Sequence, residues 1–385
     1  MSDLESSSYS PGGPPVPAGS LVLNRLKNKE LPFRDFVELA LYDPVAGYYS
    51  RPGNPVGKAG DFITAPRISP VFGYALSSLA GDFVDRAGDG LCAIVDIGCG
   101  DGELIHTLCR NLHPSAASRA AFYGVDRSLQ RVPPSLKAGG EIHFLHSIDE
   151  LPGGLPMLIL SNELFDAFPS ARLVQREEGL HELWVREDGG ALEWSEKPAR
   201  AAYVSYFAER EIALETGQFA DVSLEWSDVY RSLCERMERG LIVTIDYGFP
   251  QKQLFDVRIR RYGTAAAFTG HQVHRDLLAR PGEQDLTAHI NFSDLLNAGE
   301  RAGLKTLLFE RQAKFLLALG ITDHPLFAPV ADEPTGSLAD ALDREAERQA
   351  ARRLILPEGI GEEMRVLVQG RGIAEGGWSF QRKLF

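Results

Sequence analysis

Hydrophobic positions change their period along this chain, and each change marks an element. Leu21 to Lys29 and Phe33 to Leu41 carry helical spacing, with Pro32 as punctuation between them. A Gly/Pro-rich stretch from Tyr42 to Pro66 then loses regular period, as a long functional loop does. Ser69 to Arg86 restores helical spacing through Val71, Leu76, Leu79, Ala80 and Phe83. From Ala93 the pattern becomes short apolar runs separated by helical segments. Ala93 to Ile97, Ala121 to Asp126, Ile142 to Leu145, Met157 to Ser161 and Leu241 to Asp246 read as strands. Helices are predicted over Glu103 to Asn111 and Glu225 to Glu238. Runs of this kind indicate parallel strands buried on both faces, hence an α/β, Rossmann-like sheet. Lys305 to Phe309 and Arg365 to Gln369 supply further edge strands.

Two insertions interrupt the alternation. Ala171 to Trp194 has the pattern of a β-hairpin, turning at Glu177-Glu-Gly179, and Tyr247 to Asn291 is loop-like, rich in Gly, His and aromatic residues. Ala339 to Leu354 is a charged, solvated helix. The predicted organisation is a disordered tail over 1–20, an N-terminal helical region over 21–90 and a first Rossmann-like half over 91–170. An insertion with the hairpin follows over 171–224, then the continued core over 225–246. A second insertion covers 247–291, and the last part of the core, with a helical extension, covers 292–385. No internal repeat is found.

Composition narrows the function classes. With 385 residues and 44% hydrophobic content, the chain can bury a large core. Its 40 basic against 53 acidic side chains give a net charge of -13 and no basic stripe, which argues against a nucleic-acid partner. Cys92, Cys99, Cys109 and Cys234 form no C-x-x-C pair and no metal-ligand spacing with histidine, so no metal is expected and a reduced, cytoplasmic protein fits. No apolar run approaches the roughly 20 residues of a membrane span. The first twenty residues have neither the apolar core of a signal peptide nor the arginines of a transit peptide.

The strongest local signal is Val95-Asp-Ile-Gly-Cys-Gly-Asp-Gly102. A strand ending in Asp96 runs into three alternate glycines and then a helix. Gly98 and Gly100 permit positive φ and close approach of a ligand, and the helix start offers unpaired N–H groups. The dinucleotide fingerprint needs its third glycine three positions after the second, and position 103 is Glu. The G-x-G-x-G pattern suits S-adenosyl-L-methionine better than a pyrophosphate. Asp126 closes the second strand where such folds present a carboxylate to ribose hydroxyls. Ser147 and Ile148, just past the third strand, are candidates for adenine contact. Ser161-Asn-Glu-Leu-Phe-Asp166 ends the fourth strand beside the switch point of the sheet, so Asn162 and Glu163 face the cofactor or the substrate.

Taken in order, these segments resemble the MidA-like methyltransferase family, whose mitochondrial members are complex I assembly factors implicated in arginine methylation. The matching stretches run from about Leu21 to Gly370. They include Asp43-Pro-Val-Ala-Gly-Tyr-Tyr49, Gly60-Asp-Phe-Ile-Thr-Ala-Pro66, Asp96 to Gly102, Ser161 to Ala167, Ile245-Asp-Tyr-Gly248 and Pro281 to Phe292. The resemblance implies a class I methyltransferase sheet in which the two insertions form a substrate-side subdomain. It also implies that Asp61, Phe62, Ile63 and Thr64 close over S-adenosyl-L-methionine. His271 and the Asp285-Leu-Thr-Ala-His289 segment become parts of a substrate-side wall, with Asp246 and Tyr247 projecting into the same cleft. Two departures touch that wall: Arg67 stands where the family usually has Glu, and Ala265 to Ala267 replace its Gly-Thr-Leu continuation.

Methyl transfer from a sulfonium is an in-line displacement governed by alignment. A guanidinium acceptor needs carboxylates to hold it and take its proton, for which Glu163, Asp166 and Asp285 are candidates. A hydroxyl or acid acceptor needs a base titrating near neutrality, for which His271 or His289 are candidates. Three readings follow: a protein methyltransferase acting on side chains such as arginine; an O- or N-methyltransferase of a small or carrier-bound molecule; and a non-catalytic assembly protein on the same scaffold. The partner expected is a protein or small-molecule acceptor, with no membrane and with homodimerisation left open.

Overall fold

The computed structural model describes residues 18–50, 64–270, 272–328, 338–357 and 359–382. Its centre is an eight-stranded sheet, seven of its strands in one run and the two-residue Ile290–Asn291 beside it: β1 (Cys92–Ile97), β2 (Ala120–Val125), β3 (Ile142–Leu145), β4 (Met157–Asn162), β5 (Gly240–Phe249), β6 (Lys305–Arg311) and β7 (Met364–Arg371) make the run. They lie in the order β3-β2-β1-β4-β5-β7-β6, all parallel except β7, which runs antiparallel to both neighbours. The order reverses between β1 and β4. This opens a crevice at the carboxyl ends of those two strands, where open α/β sheets bind ligands.

The continuous apolar runs have the expected cause, because each face of the sheet is covered. Ile94, Leu158, Leu160, Val243 and Ile245 pack with Phe72, Leu76 and Phe83 of one long helix (Pro70–Ala87) and with Leu104 and Leu108 of another (Glu103–Asn111). On the other face, Ala93, Val95, Ile159 and Ile242 meet Trp226, Tyr230 and Leu233 of the helix Glu225–Arg236 and Phe292 and Leu295 of the helix Phe292–Arg301.

Several boundaries move. The first helix begins at Ala18, not Leu21, because Ala18, Val22 and Leu26 form one buried face; residues 18–20 therefore do not belong to the tail. β5 runs three residues past the expected end at Asp246. β7 pairs with it as far as Tyr247, and Ile290–Asn291 then pairs with Gly248 and Phe249. The hairpin is larger than its sequence pattern suggested. Ala171–Arg176 and Gly179–Asp188 belong to a five-stranded sheet with Ala191–Pro198, Phe219–Val222 and the distant Glu30–Pro32. The second insertion contains a three-stranded sheet of Ala266–Thr269, Gln272–His274 and Asp285–Thr287. These strands are too short, at three or four residues, to show a period. The charged helix Leu338–Arg353 is not fully solvated: Ala351 and the following Leu354 are buried in the core.

Candidate active site

The glycine turn is built as its sequence required. Gly98, Gly100 and Gly102 have φ of 75°, 58° and 81°, and the helix over Glu103–Asn111 begins immediately after them. A Cβ on Gly98 would stand 2.8 Å from Cδ1 of Leu164. The N–H groups of Gly98 and Cys99 donate to the carbonyl of Val125 at 2.8 and 3.2 Å, which ties the turn to the end of β2. Asp126 follows, accepting the Gly100 N–H on Oδ2 and the Ser128 N–H on Oδ1, both at 2.9 Å. Its carboxylate is thereby held beside the turn. Asp96 is buried under the next helix, and burial, with Asp126 nearby, pushes its pKa up to about 8.

These residues open onto a cavity of about 1680 Å³ that runs from the glycine turn to the second insertion. Thr64, Asp96, Gly98, Gly100, Asp126, Ser147, Ile148, Asn162, Glu163, Asp166 and His289 all line it. Ser147 contributes as the start of a short helical turn, its Oγ accepting the Asp149 N–H at 3.2 Å. Asp61, Phe62, Ile63 and His271 lie outside the described residues.

At the end of β4 the backbone is strained. Glu163 sits at φ 51°, a left-handed conformation that costs a non-glycine residue roughly 1–3 kcal/mol and persists only where surroundings enforce it. What enforces it is visible. The Glu163 N–H donates to Ile245 O at 2.9 Å, while its Oε1 accepts the Ala65 N–H and the Asn162 side-chain amide, each at 3.0 Å. The acid is thus aimed into the cavity, and burial pushes its pKa up to about 7. Asn162 Oδ1 is buried without a partner among the described residues, an acceptor ready for a ligand donor.

Half-buried Glu163 has three buried carboxyl groups around it, Asp166, Asp246 and Asp285. Asp166 is held well above the usual carboxylate range by burial and then by Asp246, Glu163 and Asp285. Asp246 rises to about 7, although its carboxylate accepts the N–H groups of Leu164, Phe165 and Tyr247 at 3.2, 2.8 and 2.8 Å. It shapes the loop after β4 and, contrary to the expectation of a cleft residue, is not among the cavity-lining side chains; Tyr247 is. Asp285 is reached by the Tyr49 hydroxyl at 2.9 Å.

Reading the sequence missed the role of two tyrosines. Tyr42 donates to Ala167 O at 2.9 Å and Tyr49 stacks on it, so the N-terminal region roofs the carboxylates. The signal was present in the Asp43-to-Tyr49 motif, but nothing local says which acid it reaches. Arg67 is also placed differently from expectation. Instead of contacting the substrate wall, it pairs with Asp101 of the glycine turn. His289 rests between Tyr247 and Phe249, at ring distances of 6.3 and 5.5 Å. Burial, then Arg260, pushes its pKa down to about 4, so it is a neutral, weakly basic imidazole. That weakens its candidacy as a general base.

A switch-point crevice, a positive-φ glycine turn and a carboxylate held beside it at the end of β2 are the features of a class I methyltransferase-type fold. The chain belongs to the family described as "Putative S-adenosyl-L-methionine-dependent methyltransferase", whose model matches residues 83–310. The cofactor of that family is S-adenosyl-L-methionine, and the orphaned Asn162 acceptor and the Cβ-free turn fit it. A Burkholderia thailandensis protein crystallised with S-adenosyl-homocysteine superposes with a TM-score of 0.80 at 29% identity, covering 96% of this chain and 97% of that one. Protein arginine methyltransferase NDUFAF7 of Danio rerio is 27% identical over 68% of this chain, and its Drosophila melanogaster homologue is 27% identical over 78%. The matches span 66% and 73% of those two mitochondrial relatives.

Proposed function

We propose that this chain transfers a methyl group from S-adenosyl-L-methionine to a guanidinium nitrogen of a protein arginine. The observation that carries the reading is the group of Glu163, Asp166 and Asp285, which line the cavity, with the buried Asp246 close enough to raise Asp166 further. Four carboxyl groups in a low-dielectric pocket cannot all ionise unaided. A guanidinium placed among them offsets their repulsion and is held in a fixed plane by bidentate hydrogen bonds. The names of the relatives support the same acceptor.

The cofactor, when bound, supplies an electrophilic methyl on a sulfonium and leaves as a neutral thioether. The chain's residues supply alignment and proton transfer. Asp126 would hold the ribose end, and Asn162 and Glu163 line the same cavity. As the nitrogen–carbon bond forms, the acceptor nitrogen must lose one proton. Glu163 is the residue placed to take it, since an acid titrating near 7 can accept a proton and release it again. Asp166 and Asp285 orient the guanidinium. His289, neutral and stacked, serves as a wall.

Transfer of label from tritiated S-adenosyl-L-methionine into fractionated lysate tests this directly. Methylarginine in hydrolysed protein is the expected product. Label confined to small molecules would instead favour the small-acceptor reading, and no transfer together with no cofactor binding would favour a scaffold. The four cysteines are all free, which supports a reducing compartment such as the cytoplasm. No helix of the described residues is long and apolar enough to cross a membrane.

A further inference from the structure

Beyond His289, two guanidinium groups share the ring of Phe249: Arg260 at 3.7 Å and Arg365 at 5.1 Å. Arg260 lines the cavity, as do Arg353 and Glu363. Among the described residues neither Arg260 nor Arg365 has a carboxylate within ion-pair distance; their side chains donate to backbone carbonyls. The acids nearby are committed elsewhere: Asp256 to Arg258, Glu362 to Arg311 and Glu310 to Lys314. Both arginines are driven below their ordinary pKa, chiefly by burial; Asp256 opposes this at Arg260, and Arg311 adds to it at Arg365 against Glu362 and Glu310. A half-buried cation with no ion-pair partner of its own, beside acids that already serve other cations, is a place where a ligand can supply the anion.

Exposed apolar side chains occur in the same insertion: Val273, 64% exposed, lines the cavity, and Ile259 and Tyr262, next to Arg260 and two residues after it in sequence, are 70% and 64% exposed. Exposed apolar side chains flanking a cationic pocket suit an extended protein segment better than a small polar metabolite. The spacing agrees. From Tyr247, beside the carboxylates, to Arg260 the steps are 6.3 Å to His289, 5.5 Å on to Phe249 and 3.7 Å to the guanidinium. A few extended residues, at about 3.3–3.6 Å each, cover that reach.

We propose that Arg260, backed by Arg365 across Phe249, is an anion subsite that selects protein segments carrying aspartate or glutamate a few residues from the methylated arginine. This rests on the arginine reading above, from which its test can be separated. The full-length protein is given labelled S-adenosyl-L-methionine and three nine-residue peptides with one central arginine, flanked by glutamate, serine or lysine. The expected result is a kcat/KM at least tenfold higher for the glutamate peptide than for the serine peptide. That ratio should fall close to one in R260Q, survive in R260K, and invert toward the lysine peptide in R260E. Because each ratio compares substrates on one preparation, partial misfolding of a variant does not imitate the effect. Equal wild-type ratios, or an unchanged ratio in R260Q, overturn the subsite and leave the arginine reading standing. If no peptide is labelled, the arginine reading fails, and calorimetry with S-adenosyl-homocysteine present still reports on the subsite. Binding of the glutamate peptide that weakens tenfold in R260Q supports it, and no such binding overturns it. Tighter binding of inorganic phosphate than of the glutamate peptide assigns the site to a phosphate-bearing small molecule and overturns the peptide assignment.

Discussion

At the residue scale, the behaviour of Glu163 follows from three contacts and one dihedral. Glu163→Gln keeps the acceptor for the Ala65 N–H but cannot take a proton. Methyl transfer should fall about 10²-fold or more, while cofactor affinity measured by calorimetry stays within a few-fold. Equal losses in both would mean that the side chain shapes the pocket rather than the reaction. Titration of the buried acids gives a second expectation. Glu163 rises from 4.5 to about 7, Asp246 from 3.8 to about 7 and Asp96 from 3.8 to about 8. Folded-state values above the unfolded ones mean the native protein binds more protons in the intervening window. Stability therefore falls as pH rises through about 7 to 8. His289, lowered from 6.5 to about 4, works the other way below pH 6.5, because the unfolded imidazole there binds the extra proton. Thermal unfolding should thus show a lower midpoint at pH 8 than at pH 6.5, whereas activity climbs over the same interval as Glu163 ionises. A midpoint that rises from 6.5 to 8 would contradict the burial of these acids.

At the element scale, the glycine turn and the short helix Ala65–Ile68 meet through one ion pair. Gly98 was legible from sequence because a positive φ after a strand leaves few alternatives. Gly98→Ala adds about 1–2 kcal/mol of backbone strain and a methyl 2.8 Å from Leu164. Calorimetry should record loss of S-adenosyl-L-methionine binding with the fold retained by circular dichroism. Arg67 was read as a departure on the substrate wall, since sequence spacing could not say that residue 67 meets residue 101. Its partly exposed pair with Asp101 is worth no more than about 1 kcal/mol of stability. Arg67→Ala should therefore leave the melting temperature nearly unchanged yet weaken cofactor binding several-fold, through a turn no longer held from outside. Unchanged cofactor affinity would remove Arg67 from the cofactor side altogether.

At the scale of the whole molecule, the cavity joins elements far apart in the chain: the N-terminal tyrosines, the turn after β1, the end of β4 and the second insertion. A ligand bridging them should stabilise all of them together. S-adenosyl-homocysteine at a hundredfold excess over its Kd should raise stability by about 2.7 kcal/mol, seen as a shifted melting curve; no shift at any ligand concentration would mean that the folded chain does not bind it. The sequence by itself determined the α/β class, the strands of the core, and the glycine turn with Asp126 beside it. Each of these depends on local periodicity or on backbone freedom at a single glycine. Only the tertiary structure decided that Glu30–Pro32 joins a sheet with the hairpin, that Tyr49 reaches Asp285, and that Arg67 faces the cofactor side. It also decided that Asp246 shapes a loop and that His289 is neutral. Those outcomes depend on which distant groups share a buried space, because burial and neighbouring charge, not residue type, set whether a carboxyl or an imidazole is ionised.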